Sequence, residues 1–333
     1  MPLPPRRLLL CLALALPWLG MPPSAQSAPP TRISIGTGGP QSDYFPVGTA
    51  LCRMVNATRK QHGLRCAAET SDGSVANIKG VLDGEFDLGL AQGDMQAAAR
   101  QGTGAFADGP QPRLRALFEV APEVFTVMVD PASPIRSVAD LRGKRVAVGP
   151  PGSGTQATTA LVLAAHGIGP GDLAQAAHLK FVEMAPALCE RKVDAFVFVA
   201  THPNPVFADA MSGCGARFLA VDGPAVDGLL AAQPHYYRAP VPADVYAKGA
   251  PPVPSFATRF AVVAADDLPD AVAYAVTRAV FENLDDFRKR HPSLAGLTRE
   301  DAARTVLPLH PGAAAYFREV GVLPPAGSGT PAK

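Results

Sequence analysis

The stretch VGPPGSGTQ, Val148 to Gln156, follows an apolar run and precedes a helical one. A strand, a Gly-rich turn and a helix in that order aim backbone N–H groups at an anion. Gly149 and Gly154 have the spacing of the two glycines in the phosphate loop G-x-x-x-x-G-K-[ST], but Thr155 stands where the lysine belongs. Without that lysine no fixed cation reaches a β- or γ-phosphate, so the turn reads as an anion holder and not as an ATPase loop. GTGG at Gly36–Gly39 is likewise a partial match to the dinucleotide fingerprint. Gly36 and Gly38 fit it, and Gln41 takes the place of its third glycine.

Catalytic constellations are missing from the sequence. There is no G-x-S-x-G, and Ser153 lacks the flanking pattern of a nucleophile elbow. No H-E-x-x-H or C-x-x-C occurs, and the seven histidines are scattered, so no metal, cofactor or enzymatic activity is expected. His202 stands alone on a candidate turn and reads as a structural hydrogen-bonder, because no partner for it can be read.

The elements that position these turns repeat. TRISIGTGGPQSDYFPVGTALCRMV is a strand, a Gly-rich turn and a helix, and KRVAVGPPGSGTQATTALVLAAHGI is the same again. Each is followed by a second strand (GLRCAAETS, HLKFVEM), a short helix and a third strand (VLDGEFDLGLAQGD, LCERKVDAFVFVATHPN). Alternating strands and helices predict βαβ units and a mainly parallel sheet in each of two α/β lobes. Between the copies, PRLRALFEVAPEVFTVMVDPASPIRSVADLRG reads as two apolar strands and a capped short helix. After the second copy, TRFAVVAADDLP reads as a strand, and Pro269 opens one long amphipathic helix carrying Val272, Val276, Val280, Leu284 and Phe287 on one face. These last elements have no sheet of their own, so they return to the first lobe. The expected domains are lobe I at 31–125 plus 258–323 and lobe II at 126–257. Crossings near Phe125–Val129 and Arg259–Val263 form the hinge.

In open parallel sheets, ligands sit outside the carboxyl ends of the strands. Here those ends carry GTGG, TSDGS at Thr70–Ser74, AQGD at Ala91–Asp94, GPPGSGT at Gly149–Thr155 and THPNP at Thr201–Pro205. Any one of them is compatible with plain turn chemistry. Five converging in a duplicated frame describe a cleft that closes around a small polar molecule.

The N-terminus sets the compartment. Arg6 and Arg7 precede an apolar stretch from Leu8 to Leu16, and Ala25 and Ser27 are the small residues a signal peptidase reads. Residues 1–27 are therefore expected to be a cleaved signal peptide, the alternative being an uncleaved anchor. The full chain has 30 basic and 29 acidic residues, and the leader takes two arginines and no acid. That near-neutral balance argues against nucleic acid and against a polybasic membrane surface. Four of the five cysteines follow the leader. In an oxidising compartment they suggest two bridges with three connectivities open. Cys52–Cys66 and Cys189–Cys214 are favoured because each pair falls inside one expected lobe, and buried free thiols are the alternative. The Pro/Gly-rich tail, 324–333, is expected to be disordered.

Four stretches, ISIGTGGPQSDYFPVGTAL, DGSVANIKGVLDGEFDLGLAQGDM, SVADLRGKRVAVGPPGSGTQATT and NPVFADA, together resemble the TAXI family, the extracytoplasmic solute receptors of TRAP transporters. PADVYAKG, FENLDDF and LHPGAAAYF fit as well, so the resemblance covers nearly the whole mature chain. It implies a two-lobed, type II-like periplasmic-binding-protein fold and a monomer without catalytic activity. Such a receptor passes a glutamate-like amino acid, a 2-oxoacid or a dicarboxylate to TRAP permease subunits driven by an ion gradient. By the same resemblance Gly38, Gly39, Tyr44, Ser71 and Gln92 line the first lobe's side. Ser153, Gly154, Thr155 and Gln156 hold a ligand carboxylate, and Asn204 closes the cleft. A sensing protein of the same fold, feeding a regulatory partner, is the alternative. One departure is Asp72, where relatives often carry a small neutral residue. Facing the cleft it would favour a ligand bearing an ammonium group; facing outward it would cap the helix at Ser74–Leu82.

Overall fold

The computed structural model describes Met1 and residues 31–325. The rest of the expected leader, and the tail beyond Pro325, lie outside the described residues. Ten strands form one mixed sheet: β1 (Arg32–Gly36), β2 (Arg65–Glu69), β3 (Leu88–Gln92), β4 (Leu114–Val129), β5 (Arg145–Ala147), β6 (Gln175–Ala177), β7 (Ala195–Ala200), β8 (Arg217–Leu219), β9 (Tyr237–Arg238) and β10 (Phe256–Ala265). Helices α1 (Tyr44–Ala57), α2 (Arg59–His62), α3 (Ser74–Asp83) and α4 (Gly93–Gln101) accompany the first three strands. Helices α5 (Gly154–Ala165), α6 (Phe181–Cys189), α7 (Pro205–Cys214) and α8 (Pro224–Ala232) accompany the second set. The chain closes with α9 (Asp270–Phe281), α10 (Leu284–Arg288), α11 (Arg299–Ala302) and α12 (Pro311–Glu319).

The strand order is β2-β1-β3-β10-β4-β7-β5-β6, with β8 on β4 and β9 on β10. Two parallel trios, β2-β1-β3 and β6-β5-β7, stand at its ends. Each half is thus parallel in its βαβ part, and β4 and β10 add the antiparallel pairings between them. The two apolar runs before Asp130 are one 16-residue strand, β4. Its first part pairs with β10, and from Val124 onward it pairs with β7. Val124 faces both Ala257 and Ala200, so the crossing falls just before the expected positions in both strands. We call the β2-β1-β3 side lobe I and the β7-β5-β6 side lobe II.

Each lobe has a core on either face of its sheet. In lobe I, Leu51 of α1, Val276 of α9 and Phe317 of α12 pack on Phe118 and Phe260, while Ile78 of α3 and Met95 of α4 cover the other face. In lobe II, β7 reads AFVFVA and is buried on both faces, as a central parallel strand should be. Val197 meets α5 and α8 through Val162 and Val226. Phe196 and Phe198 meet α6 and α7 through Met184 and Phe207. The helix after Pro269 is shorter than its periodicity predicts. Asn283 leaves helical geometry, its side-chain amide donates to the Ala279 carbonyl, and the apolar stripe continues in α10 with Phe287 fully buried. Disulfides join Cys52 to Cys66, α1 to β2, and Cys189 to Cys214, the C-terminal ends of α6 and α7. Among the described residues no helix is long and apolar enough to cross a membrane.

Candidate functional site

The carboxyl ends of β1, β3, β5 and β7 face one another across a narrow cleft. Gly38, Tyr44 and Gln92 of lobe I and Ser153, Gly154 and Thr155 of lobe II line one central space. The sequence reading missed other residues lining it: Asp43, Ser74, Glu123, Phe181 and Phe198. Gly39, Ser71 and Asp72 instead line a neighbouring pocket of about 490 Å³ at the mouth, with Lys180, Phe181 and Val182. Gln156 lies outside the central space. Its amide oxygen accepts from Gly152 N–H at 3.1 Å, and its amide nitrogen lies 3.4 Å from His178.

The lobes meet through hydrogen bonds at these turns. The Asp43 carboxylate accepts from Thr201 N–H at 2.8 Å and from Asn204 Nδ2 at 3.2 Å. Burial pushes its pKa up to about 6, against those donors. Gly152 offers its carbonyl to the N–H groups of Val75 and Ala76 at 3.2 and 3.3 Å, filling the first turn of α3. Asp94 of α4 accepts from Thr158 of α5 and, at 2.7 Å, from the Tyr236 hydroxyl. Gly154 presses against Gln92: a Cβ there would fall 1.5 Å from Gln92 Oε1. With the lobes so placed, about 30 Å³ of open space remains at the centre, room for about one water molecule.

The two hydroxyls expected to grip a ligand are already engaged. Ser153 is the N-cap of α5, accepting from Gln156 N–H at 3.1 Å and donating to the Pro150 carbonyl at 2.7 Å. Thr155 Oγ1 accepts from Val199 N–H at 3.2 Å. What α5 leaves for an anion is its first backbone N–H groups, at Gly154 and Thr155, with the positive end of the helix dipole. Asn204 serves twice, capping α7 by accepting from Val206 N–H and reaching Asp43. Asp72 is exposed and does not cap α3, whose N-cap is Gly73 without a side-chain bond. Ser71 holds its own loop, its hydroxyl lying 2.6 Å from Asn77 Oδ1 and 2.9 Å from the Thr37 carbonyl.

Glu123 is a second buried acid lining the central space. It is 3 % exposed and accepts from the Tyr44 hydroxyl at 3.1 Å. Burial and then the neighbouring Asp43 charge raise its pKa well above the carboxylate range. A signal for it existed: glutamates at 119 and 123 interrupt an otherwise apolar strand, where an ionisable side chain needs a reason. His202 is a pin within lobe II. Its ring nitrogens meet Tyr246 Oη at 2.6 Å and Thr126 Oγ1 at 2.9 Å, and burial lowers its pKa to about 4. Among the described residues no three His, Cys, Asp or Glu side chains come together as a metal site would need.

Two α/β lobes closing on a polar cleft, joined by two strands, have the architecture of the periplasmic solute-binding proteins. The chain belongs to the NMT1-like family, whose profile matches residues 35–321. Among solved structures it is similar to PhnD1 of Prochlorococcus marinus, a complex with methylphosphonate, at 11 % identity and TM-score 0.54, covering 88 % of this chain and 100 % of that one. A protein of Bordetella bronchiseptica is similar at 16 % identity and TM-score 0.50, covering 89 % and 90 %. The periplasmic aliphatic sulphonate binding protein SsuA of Escherichia coli follows at 17 % identity and TM-score 0.45, covering 87 % and 83 %.

Proposed function

We propose that the protein is an extracytoplasmic solute receptor, which captures a small carboxylate-bearing molecule between its lobes and delivers it to a TRAP-type membrane permease. The observation that carries this reading is the set of bonds spanning the cleft. Asp43 reaches Thr201 and Asn204, and Gly152 reaches Val75 and Ala76. These groups sit on the turns and helix starts that face the cleft, so they pair only when the lobes are closed and shift the open–closed balance together with a ligand. The ligand's carboxylate is placed against the Gly154 and Thr155 N–H groups, where α5 favours an anion without any lysine. The TAXI-type turns favour a TRAP permease as the recipient.

A dye-based thermal-shift screen of the mature chain tests this, the single tryptophan, Trp18, lying in the leader. The panel is amino acids, 2-oxoacids, dicarboxylates and nucleotides. A ligand at a hundred times its dissociation constant stabilises by about 2.7 kcal/mol, a rise of several degrees at roughly 2 °C or more per kcal/mol. A response confined to nucleotides would overturn the reading.

A further inference from the structure

The β4–β10 ladder that connects the lobes buries a carboxyl group it only half satisfies. Glu119 of β4 is 1 % exposed. One of its oxygens accepts from Val306 N–H at 3.4 Å, and the other is buried without a hydrogen bond. Buried polar groups are almost always paired, so this exception needs a physical reason. The opposite charge beside it is Arg259 of β10, half-buried, whose Nε is also buried without a hydrogen bond. The ladder here is irregular as well: register shifts flank the two pairs Ala261–Glu119 and Val262–Phe118.

The groups around Glu119 come from both sides of the crossing. Val306 follows α11 in lobe I. Tyr237 of β9 lies opposite Ala257, where the crossing falls, and its hydroxyl bonds to Arg259 on the lobe I side. Tyr237 also feels the charges of Glu119 and Glu123. Other charged groups nearby are turned elsewhere. Asp43 and Asp94 act on Glu123, His291 faces Asp43, and Arg304 pairs with Asp301 of α11. Burial, opposed by Arg259 and the Val306 N–H, raises the Glu119 pKa from 4.5 to about 7. We infer that this ladder is a proton-linked hinge: Glu119 holds its proton while the lobes are closed, and opening draws Tyr237 and Arg259 away, admits water to the carboxyl and releases the proton. The hinge rests on the closing of two lobes and not on which ligand or permease they serve. Closing then takes up a proton and is favoured as pH falls. Once exposed, the carboxyl returns toward its ordinary 4.5, so closure should be about tenfold less favourable at pH 8 than at pH 6.

Small-angle X-ray scattering of the mature protein between pH 6 and pH 9, with no ligand added, tests this through the radius of gyration. The wild-type protein should expand as pH rises through about 7. Glu119→Gln keeps the shape and stays neutral, so it should remain compact at pH 8. Arg259→Gln removes the charge that opposes burial and should move the expansion upward by about one pH unit; it carries the test if Glu119→Gln does not fold. A wild-type protein of constant size, or the same expansion in wild type and Glu119→Gln, would overturn the hinge. So would a Glu119→Gln protein that is expanded at every pH, which would make Glu119 a structural residue alone. None of these outcomes bears on the ligand, which the thermal-shift screen tests.

Discussion

The two copies of the strand–turn–helix unit differ at the residue that enters the helix. In lobe II that residue is Ser153, extended at φ −81 and ψ 151, and its hydroxyl caps its own helix. In lobe I it is Asp43, already helical at φ −64 and ψ −21, with no side-chain bond to its own helix. Its carboxylate reaches the other lobe instead. The α5 entrance is therefore complete before the lobes meet, while Asp43 gains its partners only on closing. Lobe I brings the ionisable groups to the cleft, and lobe II brings helix ends and backbone donors.

The pH response should separate the lobes most strongly. Asp43 is raised from 3.8 to about 6, so its contribution to stability is full below 3.8 and is lost as pH rises through about 6. His202 is lowered from 6.5 to about 4, so its contribution is present above 6.5 and is lost as pH falls through about 4. Each is worth about 3 kcal/mol over its window. Unfolding free energies between pH 3.5 and 7 should show Asp43→Asn removing the first trend and His202→Asn the second. If neither variant changes the slope, the assigned burial is wrong.

The disulfides offer a comparison of similar size. Each closes a loop within one lobe, with cysteines 14 and 25 positions apart. Chain entropy assigns about 3 kcal/mol to each, slightly more to Cys189–Cys214. Denaturant unfolding of single-bridge variants measures the two losses, and a larger loss for Cys52–Cys66 would show that loop length does not decide.

A smaller pair of effects returns to the helix entrances. Asp43→Ala strands two donors in the closed form, about 2 kcal/mol, and should weaken ligand binding roughly thirtyfold. Ser153→Ala removes a cap and should cost about 1 kcal/mol of stability. The contrast fails if Ser153→Ala damages affinity more than Asp43→Ala does.

The cleft turns were legible because glycine, serine and asparagine announce a βα connection locally, and the repeat announced two lobes. Both bridges followed from asking which cysteines share a lobe. Asp43 and Glu123 were not legible as cleft residues. Asp43 acquires its meaning from Thr201, 158 positions away, and Glu123 from Tyr44, 79 positions away. Ser153 and Thr155 show the converse: their identities pointed to a ligand, but a hydroxyl at a helix start meets the backbone first. The α9–α10 break was hidden because Leu284 and Phe287 keep the helical period across it.

The paired strands that connect the lobes are not uniform beams. Pro122 has no N–H and lies opposite Arg259 in the ladder, so one rung is missing just before Val124. The ladder shifts register at Phe260/Ala261 and again at Val262/Val263, where Val120 and Leu117 of β4 have no partner in β10. The ladder is therefore interrupted repeatedly on the lobe I side of the crossing. Rotation about a flexure so short would turn a small local change of angle into a large swing at the turn tips.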